Sequence, residues 1–592
     1  MSKKLFRTLF LTTTSLSSVF VAAQCSTNNP EPKKPEPEVT PAKPTDDNST
    51  NNDSSQAVSN INFERFNSEI IESATNEYPS VFVSRNASQF FISSFIQLVA
   101  QLQLINKQET KRPYNDVIYL IDTDVNSYAK TLNKEPQRFN FESLLAKYQD
   151  VALRNYNAEY NSENGQLLLS DHTKYLNNFN FVGYSIFPRK LDELKAYLKP
   201  YLDKGVSLFD FYIPDISFTA MDKNTRDFIL KHANKIVILS DGNAQPYRFI
   251  NDNYIKWVKG QTTHYTKEEL LKAWDSLKTD NPTEIDYHYF YTLDEKFRIY
   301  NLSGDYDAFF NKDLEENGFS WAKLNIYDYP LNYTQVAKNI PQLNEKEFLT
   351  DYNKLINLEN KKLEDLIVYG KENLDKSKKN LVFIGSSLFR KFADGTWRIK
   401  TDTQSRNELH AYFDKIMKLY PPSEYNYLYK LHPVYKGTDA LEYIKEFTNN
   451  HESNAIILDP SVSWENMLAL DMQELQSNNS LLFDKDDFKN NTSKTKLFGI
   501  QPTSTVLLST LVMLQAQFNI SLEQAKLFVD PKNFPLSDNF NIIKRDFHYK
   551  GTQGQTANRK ELYEVYKHFI DTGLFPALDE FPAMSEFLKT NN

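Results

Sequence analysis

The sequence predicts an α/β protein with two Rossmann-like domains, each built on a parallel sheet covered by helices. The chain has 592 residues, too many for one ordinary hydrophobic core. Short β-branched and aromatic runs alternate with segments of helical periodicity, which is the pattern of parallel α/β sheets. The lysine-rich stretch 371–379 follows the last long predicted helix of the first half, so we expect the main boundary there.

The predicted strands are short apolar runs, and the predicted helices fill the spaces between them. We predict strands at 117–121, 181–187, 236–240, 381–384, 425–431, 455–458 and 497–500. We predict helices at 189–203, 222–234, 266–277, 344–366, 405–419 and 505–517. Beyond the N-terminal segment, we expect no hydrophobic run long enough to cross a membrane. The predicted units are an N-terminal α/β domain at 59–375, a C-terminal α/β domain at 376–545 and a C-terminal helical segment at 546–592.

The N-terminus has the pattern of a secretory signal. Basic residues at positions 3, 4 and 7 precede an uncharged stretch from Thr8 to Ala23, and Cys25 follows Gln24. Cys25 is the only cysteine of the chain, and its place just past small residues resembles the lipobox of bacterial lipoproteins. We therefore predict a lipoprotein signal peptide over 1–25, with acylated Cys25 anchoring the protein on the outer face of a membrane. A plain secretory signal with an incidental cysteine is the alternative.

Residues 26–58 form a predicted tether. They are dominated by Pro, Glu, Lys, Asn, Ser and Asp, and almost none of their side chains could be buried. Such a segment is expected to be disordered and partly polyproline-like, holding a folded body away from the bilayer. The low glycine content and the abundance of Asn, Lys and Tyr look like a mycoplasma-type lipoprotein.

The overall composition argues against several classes of protein. The 68 Lys and Arg residues are outnumbered by 77 Asp and Glu residues, and the net charge of −9 disfavours a nucleic-acid partner. Only 15 glycines are present, which leaves little material for glycine-rich nucleotide loops. One cysteine permits neither an internal disulfide nor a zinc site built from thiolates.

Polar residues follow the predicted strands of both halves of the chain. In open parallel sheets, binding sites form at the carboxyl ends of the strands. The residues at these predicted ends are Asp122, Asp124, Asp241, Gly385, Ser386, His432, Thr503, Ser504 and Thr505. A carboxylate, an imidazole and several hydroxyls would thus meet from two domains, so we predict a site in the cleft between them.

Each of these groups has a functional and a structural interpretation. Thr503, Ser504 and Thr505 offer hydroxyl and backbone N–H groups to an anion at a helix start, or they simply cap that helix. His432 could donate a proton to a leaving phosphate near neutral pH, or it is one of nine histidines with no special role. Asp241 could act as a general base, or it is an aspartate of a turn.

Five segments taken in order resemble motifs of the bacterial sialyltransferases of glycosyltransferase family 80. The segments are Ser240-Asp241-Gly242 (Asp-Asp-Gly in the family), Gly385-Ser386-Ser387 after a strand, Lys430-Leu431-His432-Pro433 (Lys-Gly-His-Pro), Val462-Ser463-Trp464-Glu465 (Ile-Ser-Phe-Glu-like) and Ser504-Thr505 (a Ser-Ser pair). By itself, Ser463-Trp464-Glu465 indicates only the capped first turn of a helix. The resemblance covers about 240–520 and implies the GT-B fold, in which the parallel sheets of the two domains face a central cleft.

The resemblance also implies a reaction and its residues. It implies transfer of sialic acid from CMP-sialic acid to a hydroxyl of a glycan acceptor, with inversion and with neither a metal nor another cofactor. Asp241 would be the catalytic base, and His432 would protonate or stabilise the departing CMP phosphate. The other implied roles are donor binding by Gly385, Ser386, Glu465 (ribose), Ser504 and Thr505 (phosphate), and acceptor binding by Asp122 and Asp124.

Three positions depart from the family pattern. Ser240 replaces the first Asp of the pair, Leu431 replaces the glycine before His432, and Phe389 replaces a mobile Trp. These departures leave open another nucleotide sugar as donor, or a ligand bound without turnover.

Two other classes of protein remain as alternatives. Asp122-Thr123-Asp124 is a D-x-D sequence after a strand, which in a different glycosyltransferase would hold a divalent metal and a nucleotide diphosphate. A non-enzymatic surface lipoprotein, such as an adhesin or sugar-binding protein on a degenerate GT-B scaffold, is the second alternative. Sensitivity to a chelator tests the first alternative, and the absence of donor hydrolysis would favour the second.

Overall fold

Two lobes, each built on its own β-sheet, make up the described part of the chain. The structure is a computed structural model that describes residues 63–85, 87–108, 117–121, 138–148, 191–240, 242, 248–302, 306–385, 389–391, 397–399, 405–433, 435, 438–499, 504–535, 567 and 569–589. The predicted strand 181–187, the signal peptide and the tether lie outside these residues.

The first lobe contains a six-stranded sheet. Its strands are β1 (Ser80–Val83), β2 (Val117–Leu120), β3 (Phe209–Pro214), β4 (Ala233–Leu239), β5 (Phe297–Asn301) and β6 (Ile326–Asp328). The order across the sheet is β2-β1-β3-β4-β5-β6, and every neighbouring pair is parallel. The strands are buried almost throughout, as expected for a parallel sheet with helices on both faces.

Eleven described helices belong to the first lobe. They are α1 (Glu64–Thr75), α2 (Ser88–Asn106), α3 (Phe141–Tyr148), α4 (Leu191–Leu202), α5 (Asp215–Ala220), α6 (Lys223–His232), α7 (Lys256–Val258), α8 (Lys267–Ser276), α9 (Tyr306–Glu316), α10 (Tyr333–Asn339) and α11 (Glu345–Leu355). A π-helical segment, Arg248–Ile255, leads into α7, and 3₁₀ turns occupy Tyr287–Thr292 and Ser320–Ala322.

Helix α2 is the central helix of the first lobe. Its 19 residues are apolar enough, by length and composition, to span a membrane, but 94% of the apolar stretch is buried inside the fold. The expectation that no later run is long enough for a span is therefore wrong by length. A helix that is apolar on every side shows no alternation of apolar and polar faces with a period of 3.6 residues, so the sequence pattern does not predict α2 as a helix.

A buried ionic cluster lies near the amino ends of the central strands of the first lobe. Glu69 of α1 contacts the Lys235 ammonium of β4, and its Oε2 lies 2.6 Å from the Arg298 guanidinium of β5. Asp210 of β3 lies 3.4 Å from Lys235. Burial alone would raise the pKa of Glu69, but Lys235 and Arg298 outweigh burial and lower it to about 2. The cluster therefore holds α1 against the amino ends of β3, β4 and β5, on the side of the sheet opposite to their carboxyl ends.

The second lobe contains a five-stranded sheet. Its strands are β7 (Ile367–Tyr369), β8 (Lys379–Ile384), β11 (Tyr425–Lys430), β12 (Ala455–Leu458) and β13 (Thr495–Phe498), and a separate antiparallel hairpin is formed by β9 (Phe389–Lys391) and β10 (Trp397–Ile399). The order is β13-β8-β11-β12-β7, parallel except for the edge strand β7. Strand β7 belongs to the sheet of the second lobe, although it precedes the predicted boundary at 375 in the chain. The predicted domain boundaries stay predictions.

Helices cover the second sheet. They are α12 (Ser405–Leu419), α13 (Thr438–Thr448), α14 (Trp464–Gln473), α15 (Ser504–Phe518), α16 (Leu522–Ala525) and α17 (Met584–Lys589). Short 3₁₀ turns lie at Leu363–Leu366, Lys371–Asn373, Pro531–Asn533 and Leu578–Glu580. The predicted helix 344–366 ends early, at Leu355, because Asn357 and Asn360 take left-handed backbone conformations (φ 59° and 56°) that stop an α-helix.

The two lobes share one hydrophobic core. A single cluster of buried side chains runs from α1, α2 and the first sheet to α14, α15 and one face of the second sheet. Polar contacts accompany this packing: Asn332 donates to Gln517 Oε1 at 3.0 Å, and Gln473 donates to the Tyr333 hydroxyl at 2.8 Å. The predicted α/β architecture of two mainly parallel sheets is confirmed.

Candidate functional site

Both sheets have a point at which the direction of strand addition reverses. In the second sheet the chain runs from β8 to β11 and β12 on one side, and then crosses to place β13 on the other side of β8. In the first sheet, β2 lies on one side of β1, and β3 lies on the other. Crevices at such points, outside the carboxyl ends of the strands, are the usual ligand sites of open α/β sheets.

The two carboxyl edges meet where Gly242 approaches helix α15. Gly242 follows β4 of the first lobe, and Thr505 lies in the first turn of α15 of the second lobe. A Cβ atom added at Gly242 would lie 3.9 Å from Thr505 Oγ1 and equally far from Gln89 Oε1 of α2. The structure therefore brings the Asp-Gly segment and the predicted phosphate-binding helix start to one place.

Glu465 is a buried carboxylate in the first turn of α14. Ser463 caps this helix by accepting a hydrogen bond from the Asn466 backbone at 3.2 Å, as the structural interpretation predicted. Glu465 takes no part in the cap. It is only 5% exposed and accepts a 3.0 Å hydrogen bond from the Ser509 hydroxyl of α15. Its side chain thus lies between the two helices that border the cleft.

Burial raises the pKa of Glu465, and three neighbouring groups act in the opposite direction. They are the Ser509 hydroxyl, the Lys430 ammonium at the end of β11, and the Gln89 carboxamide, which belongs to the first lobe. A carboxylate with these neighbours can accept hydrogen bonds from hydroxyl groups of a ligand once it is ionised.

Lys430 is the cation of the site. Its side chain is buried, and its Nζ donates to the carbonyl oxygens of Leu431 at 2.7 Å and Pro460 at 3.3 Å. Burial lowers the pKa of Lys430 to about 8, against the attraction of Glu465 and Asp459. The ammonium therefore ties the ends of β11 and β12 together and places positive charge near Glu465.

His432 follows Lys430 and Leu431 at the carboxyl end of β11. Its side chain is half-buried, and its backbone carbonyl accepts a hydrogen bond from Tyr435 N at 3.0 Å. The neighbouring strand ends at Gly385, whose N–H donates to the Lys430 carbonyl at 2.9 Å. His432 and Gly385 therefore lie at adjacent strand ends, next to the point of reversal.

Leu431 fills the space that faces Gly385. A Cβ atom at position 385 would lie 3.0 Å from Leu431 Cδ2 and 3.0 Å from Phe383 Cε1. Leu431 is only 1% exposed and packs into the core of the second lobe. The large side chain that replaces the glycine of the family motif therefore points into the core.

Ser240, the other departure at a strand end, is buried at the end of β4. Its hydroxyl donates to the Tyr329 hydroxyl at 2.9 Å, and the Tyr329 hydroxyl donates in turn to the Ser240 carbonyl at 3.2 Å. These two hydrogen bonds pair Ser240 with Tyr329 at the position where the family motif has an aspartate.

Several predicted site residues lie outside the described part of the chain. They are Asp122, Asp124, Asp241, Ser386, Thr503 and Cys25, and only the backbone of Ser504 and Phe389 is described. Their predicted roles stay predictions. Among the described residues, no group of three His, Cys, Asp or Glu side chains is arranged to hold a metal ion.

Two residues of the site have no predicted role. Lys430 lies within a motif, and its only signal is that a lysine ends an otherwise apolar strand. Gln89 carried no signal at all, because it lies in the helix that was not predicted and reaches Glu465 only through the packing of the lobes.

An open cavity of about 1000 Å³ lies beside the site, between the lobes. It is lined by Ser88, Phe91 and Phe95 of α2, and by 459–463 and Asn466 of the second lobe. Its volume is at the upper end of the range for small-molecule sites. Pro460, whose carbonyl oxygen accepts from Lys430, and Asp459 line this cavity, so it borders the site on the side of Lys430.

The chain matches no protein-family model and no curated protein. Among solved structures it is similar to the crystal structure of an alpha/beta-galactoside alpha-2,3-sialyltransferase from the luminous marine bacterium Photobacterium phosphoreum. The similarity covers 86% of this chain and 100% of that chain, at 11% sequence identity and a TM-score of 0.37. At these values the similarity bears on neither activity nor site residues, which are argued from the chain itself.

Proposed function

We propose that the protein is a glycosyltransferase that uses a nucleotide-sugar donor, most specifically a sialyltransferase that uses CMP-sialic acid and a glycan acceptor. The observation that carries the proposal is that Gly242 of the first lobe meets Thr505 of the second lobe, and that Gln89, which lies beside Gly242, also faces Glu465. Three of the five motif segments, spread over about 260 residues of the sequence, supply Gly242, Glu465 and Thr505.

The proposed reaction is a single inverting displacement. Asp241 takes the proton of an acceptor hydroxyl, and that oxygen forms a bond to the anomeric carbon of the donor. The bond from this carbon to the phosphate oxygen breaks, and His432 protonates the departing CMP. A positioned carboxylate or imidazole in such a step contributes typically about 10²–10⁴-fold to the rate.

The donor is proposed to lie across the second lobe. Glu465 accepts hydrogen bonds from the ribose hydroxyls, and the start of α15, with Ser504 and Thr505, holds the phosphate. An N-terminal helix end with its N–H groups directed outward favours an anion. The adjoining cavity offers room for further parts of donor or acceptor. No metal or other cofactor is proposed.

We also propose that the protein is anchored to the outer face of the cell membrane through acylated Cys25. The support is the N-terminal sequence alone: a basic start, an uncharged stretch and the only cysteine of the chain. The tether 26–58 would then place the site at some distance from the lipid surface.

The proposal is tested by nucleotide release. The full chain in detergent is incubated with a panel of nucleotide sugars, with and without glycan acceptors, and free nucleotide is measured. We expect release from CMP-sialic acid, and faster release when acceptor is present. Absence of release with every donor would contradict the enzyme proposal and favour a binding protein, and abolition by chelator would favour the metal-dependent alternative.

Two variants separate the proposed roles. Asp241→Asn should lower transfer by about 10² or more while donor affinity stays nearly the same. His432→Ala should slow both transfer and hydrolysis of the donor, so the Asp241 variant should retain more hydrolysis. His451→Ala, at an exposed histidine of the same lobe, is the control and should leave both rates unchanged. Transfer at the parental rate by Asp241→Asn would contradict the proposed mechanism.

A further inference from the structure

Gln89 is a buried amide at the point where the lobes meet. It lies in the first turn of α2 and is only 3% exposed. Within the described part of the chain, no hydrogen bond of good geometry is made by its Nε2 or its Oε1, although the carboxamide lies close enough to the Glu465 carboxyl group to interact with it. Buried amide groups are nearly always hydrogen-bonded, because leaving them unpaired in a folded protein costs free energy. An amide that keeps unused hydrogen-bonding capacity in this position is suited to bind a further group, such as a ligand.

The surroundings of Gln89 define where that partner would lie. The Oε1 atom is 3.9 Å from the position that a Cβ of Gly242 would take, and the same position is 3.9 Å from Thr505 Oγ1. The carboxamide also faces Glu465 closely enough to lower the pKa of that carboxyl group. Gln89 is thus directed at the same small space as three groups of the candidate site, from the opposite lobe.

We propose that Gln89 is a ligand-binding residue whose carboxamide joins Glu465 in holding a pair of vicinal hydroxyl groups of a nucleoside or sugar. The inference rests on the proposed function, because a nucleotide-sugar donor is the ligand that brings such hydroxyl groups to Glu465.

The hydrogen-bonding chemistry of the two side chains is complementary to a diol. An ionised carboxylate only accepts hydrogen bonds, so Glu465 can take the two O–H groups but leaves the hydroxyl oxygens without a donor. A carboxamide supplies both kinds of group: Nε2–H donates to a hydroxyl oxygen, and Oε1 accepts from a further O–H. Gln89 and Glu465 together therefore satisfy a diol that neither would satisfy alone.

The described groups that act on Glu465 come from three different elements. Glu465 is met by Ser509 from α15, by Lys430 from β11, and by Gln89 from α2, while Asp459 lies with Lys430. Among these, Gln89 alone comes from the first lobe, so it makes binding of the diol depend on both lobes.

Helix α2 offers a matched control for the test. Gln103 lies on the same helix, is 1% exposed, and its Nε2 and Oε1 likewise have no hydrogen-bond partner within the described residues. It is 14 residues further along α2, about 21 Å from Gln89 at the rise of an α-helix. Replacing either glutamine by methionine keeps the length of the side chain and removes both amide atoms.

The experiment measures binding of CMP and of 2′,3′-dideoxy-CMP to the full chain by calorimetry, together with the melting temperature. We expect Gln89→Met to weaken CMP binding by at least fivefold while melting at or above the parental temperature. Gln103→Met should melt in the same way and bind CMP like the parent. The parent should prefer CMP to the dideoxy analogue, and Gln89→Met should lose most of that preference. Gln89→Leu, which removes the amide with a different shape, should repeat the Gln89→Met result.

The outcomes separate this inference from the function on which it rests. If the parent binds no CMP, the proposed function fails, and the inference fails with it. If the parent binds CMP but Gln89→Met binds it equally well, or keeps the full preference over the dideoxy analogue, the inference alone is overturned. If Gln103→Met weakens binding as much as Gln89→Met, the effect comes from the helix core, and the inference is likewise overturned.

Discussion

The contact between Gly385 and Leu431 gives a quantitative prediction for the second lobe. In Gly385→Ala, the new methyl group would lie 3.0 Å from both Leu431 Cδ2 and Phe383 Cε1. Both neighbours are only 1% exposed, so neither can move away into solvent. Overpacking of this kind costs about 1–3 kcal/mol, and we expect Gly385→Ala to lower the free energy of unfolding by that amount.

The double variant tests whether the two positions share one space. Leu431→Ala alone removes buried carbon atoms and should cost about 2–5 kcal/mol, since it leaves a cavity. In Gly385→Ala combined with Leu431→Ala, the added methyl group has room, so the double variant should be about 1–2 kcal/mol more stable than the sum of the single changes implies.

The assay is denaturation by guanidinium chloride, followed by tryptophan fluorescence and by circular dichroism. Gly260→Ala combined with Leu431→Ala is the control, because a Cβ at Gly260 meets only the Trp257 carbonyl oxygen at 3.4 Å, far from Leu431 in the chain. That control pair should be additive. Additivity of the Gly385 and Leu431 changes within about 0.5 kcal/mol would refute the reasoning, because independent sites behave in that way.

Three further predictions concern other parts of the molecule. Glu69→Gln should lower the free energy of unfolding by about 3–5 kcal/mol at pH 7, because it removes the buried carboxylate that Lys235 and Arg298 share and leaves Lys235 with Asp210, whereas the exposed Glu268→Gln should change little. The pKa of Glu69 in the folded protein is about 2, below its value of 4.5 in the unfolded chain. The contribution of Glu69 to the free energy of unfolding is therefore fully present above about pH 4.5 and should be lost as the pH falls toward 2. Acid denaturation of the parent should show this loss, and acid denaturation of the Glu69→Gln variant should not. Thr505→Val removes a hydroxyl proposed to hold phosphate and should weaken CMP binding about tenfold by calorimetry, and unchanged affinity would count against that role. Cys25→Ser should move the protein out of the detergent phase in a partition assay, and if it stays there the lipidation proposal is wrong.

The sequence predicted the elements whose pattern is local. Strand 455–458 is observed as predicted, and β4, β8, β11 and β13 lie within about three residues of the predicted ends. The strands β3 and β5 were missed because each carries a buried charged residue, Asp210 and Arg298, which breaks the apolar run that marks a strand. These buried charges are stabilised by oppositely charged side chains of other elements. Which elements come together is decided by the tertiary fold and not by the local sequence.

The same limit applies to the candidate site. The sequence predicts polar residues at the carboxyl ends of strands in two sheets, where sites of such sheets form, and the structure brings Gly242 near Thr505; the roles of these residues stay predictions. The sequence could not show that Glu465 is buried against Ser509 or that Leu431 points away from the strand ends into the core. Nor could it show Gln89, whose closeness to Glu465 depends on the packing of two lobes across more than 370 residues of chain.

The hydrophobic core that continues from one lobe into the other has a consequence for how a ligand could enter between the lobes. Moving the lobes apart would expose apolar surface now buried between them, at roughly 25 cal/mol for every Å². Packing between the lobes therefore opposes their separation before any ligand arrives. Under the proposed function, a glycan acceptor would have to reach the site without pulling this shared core apart.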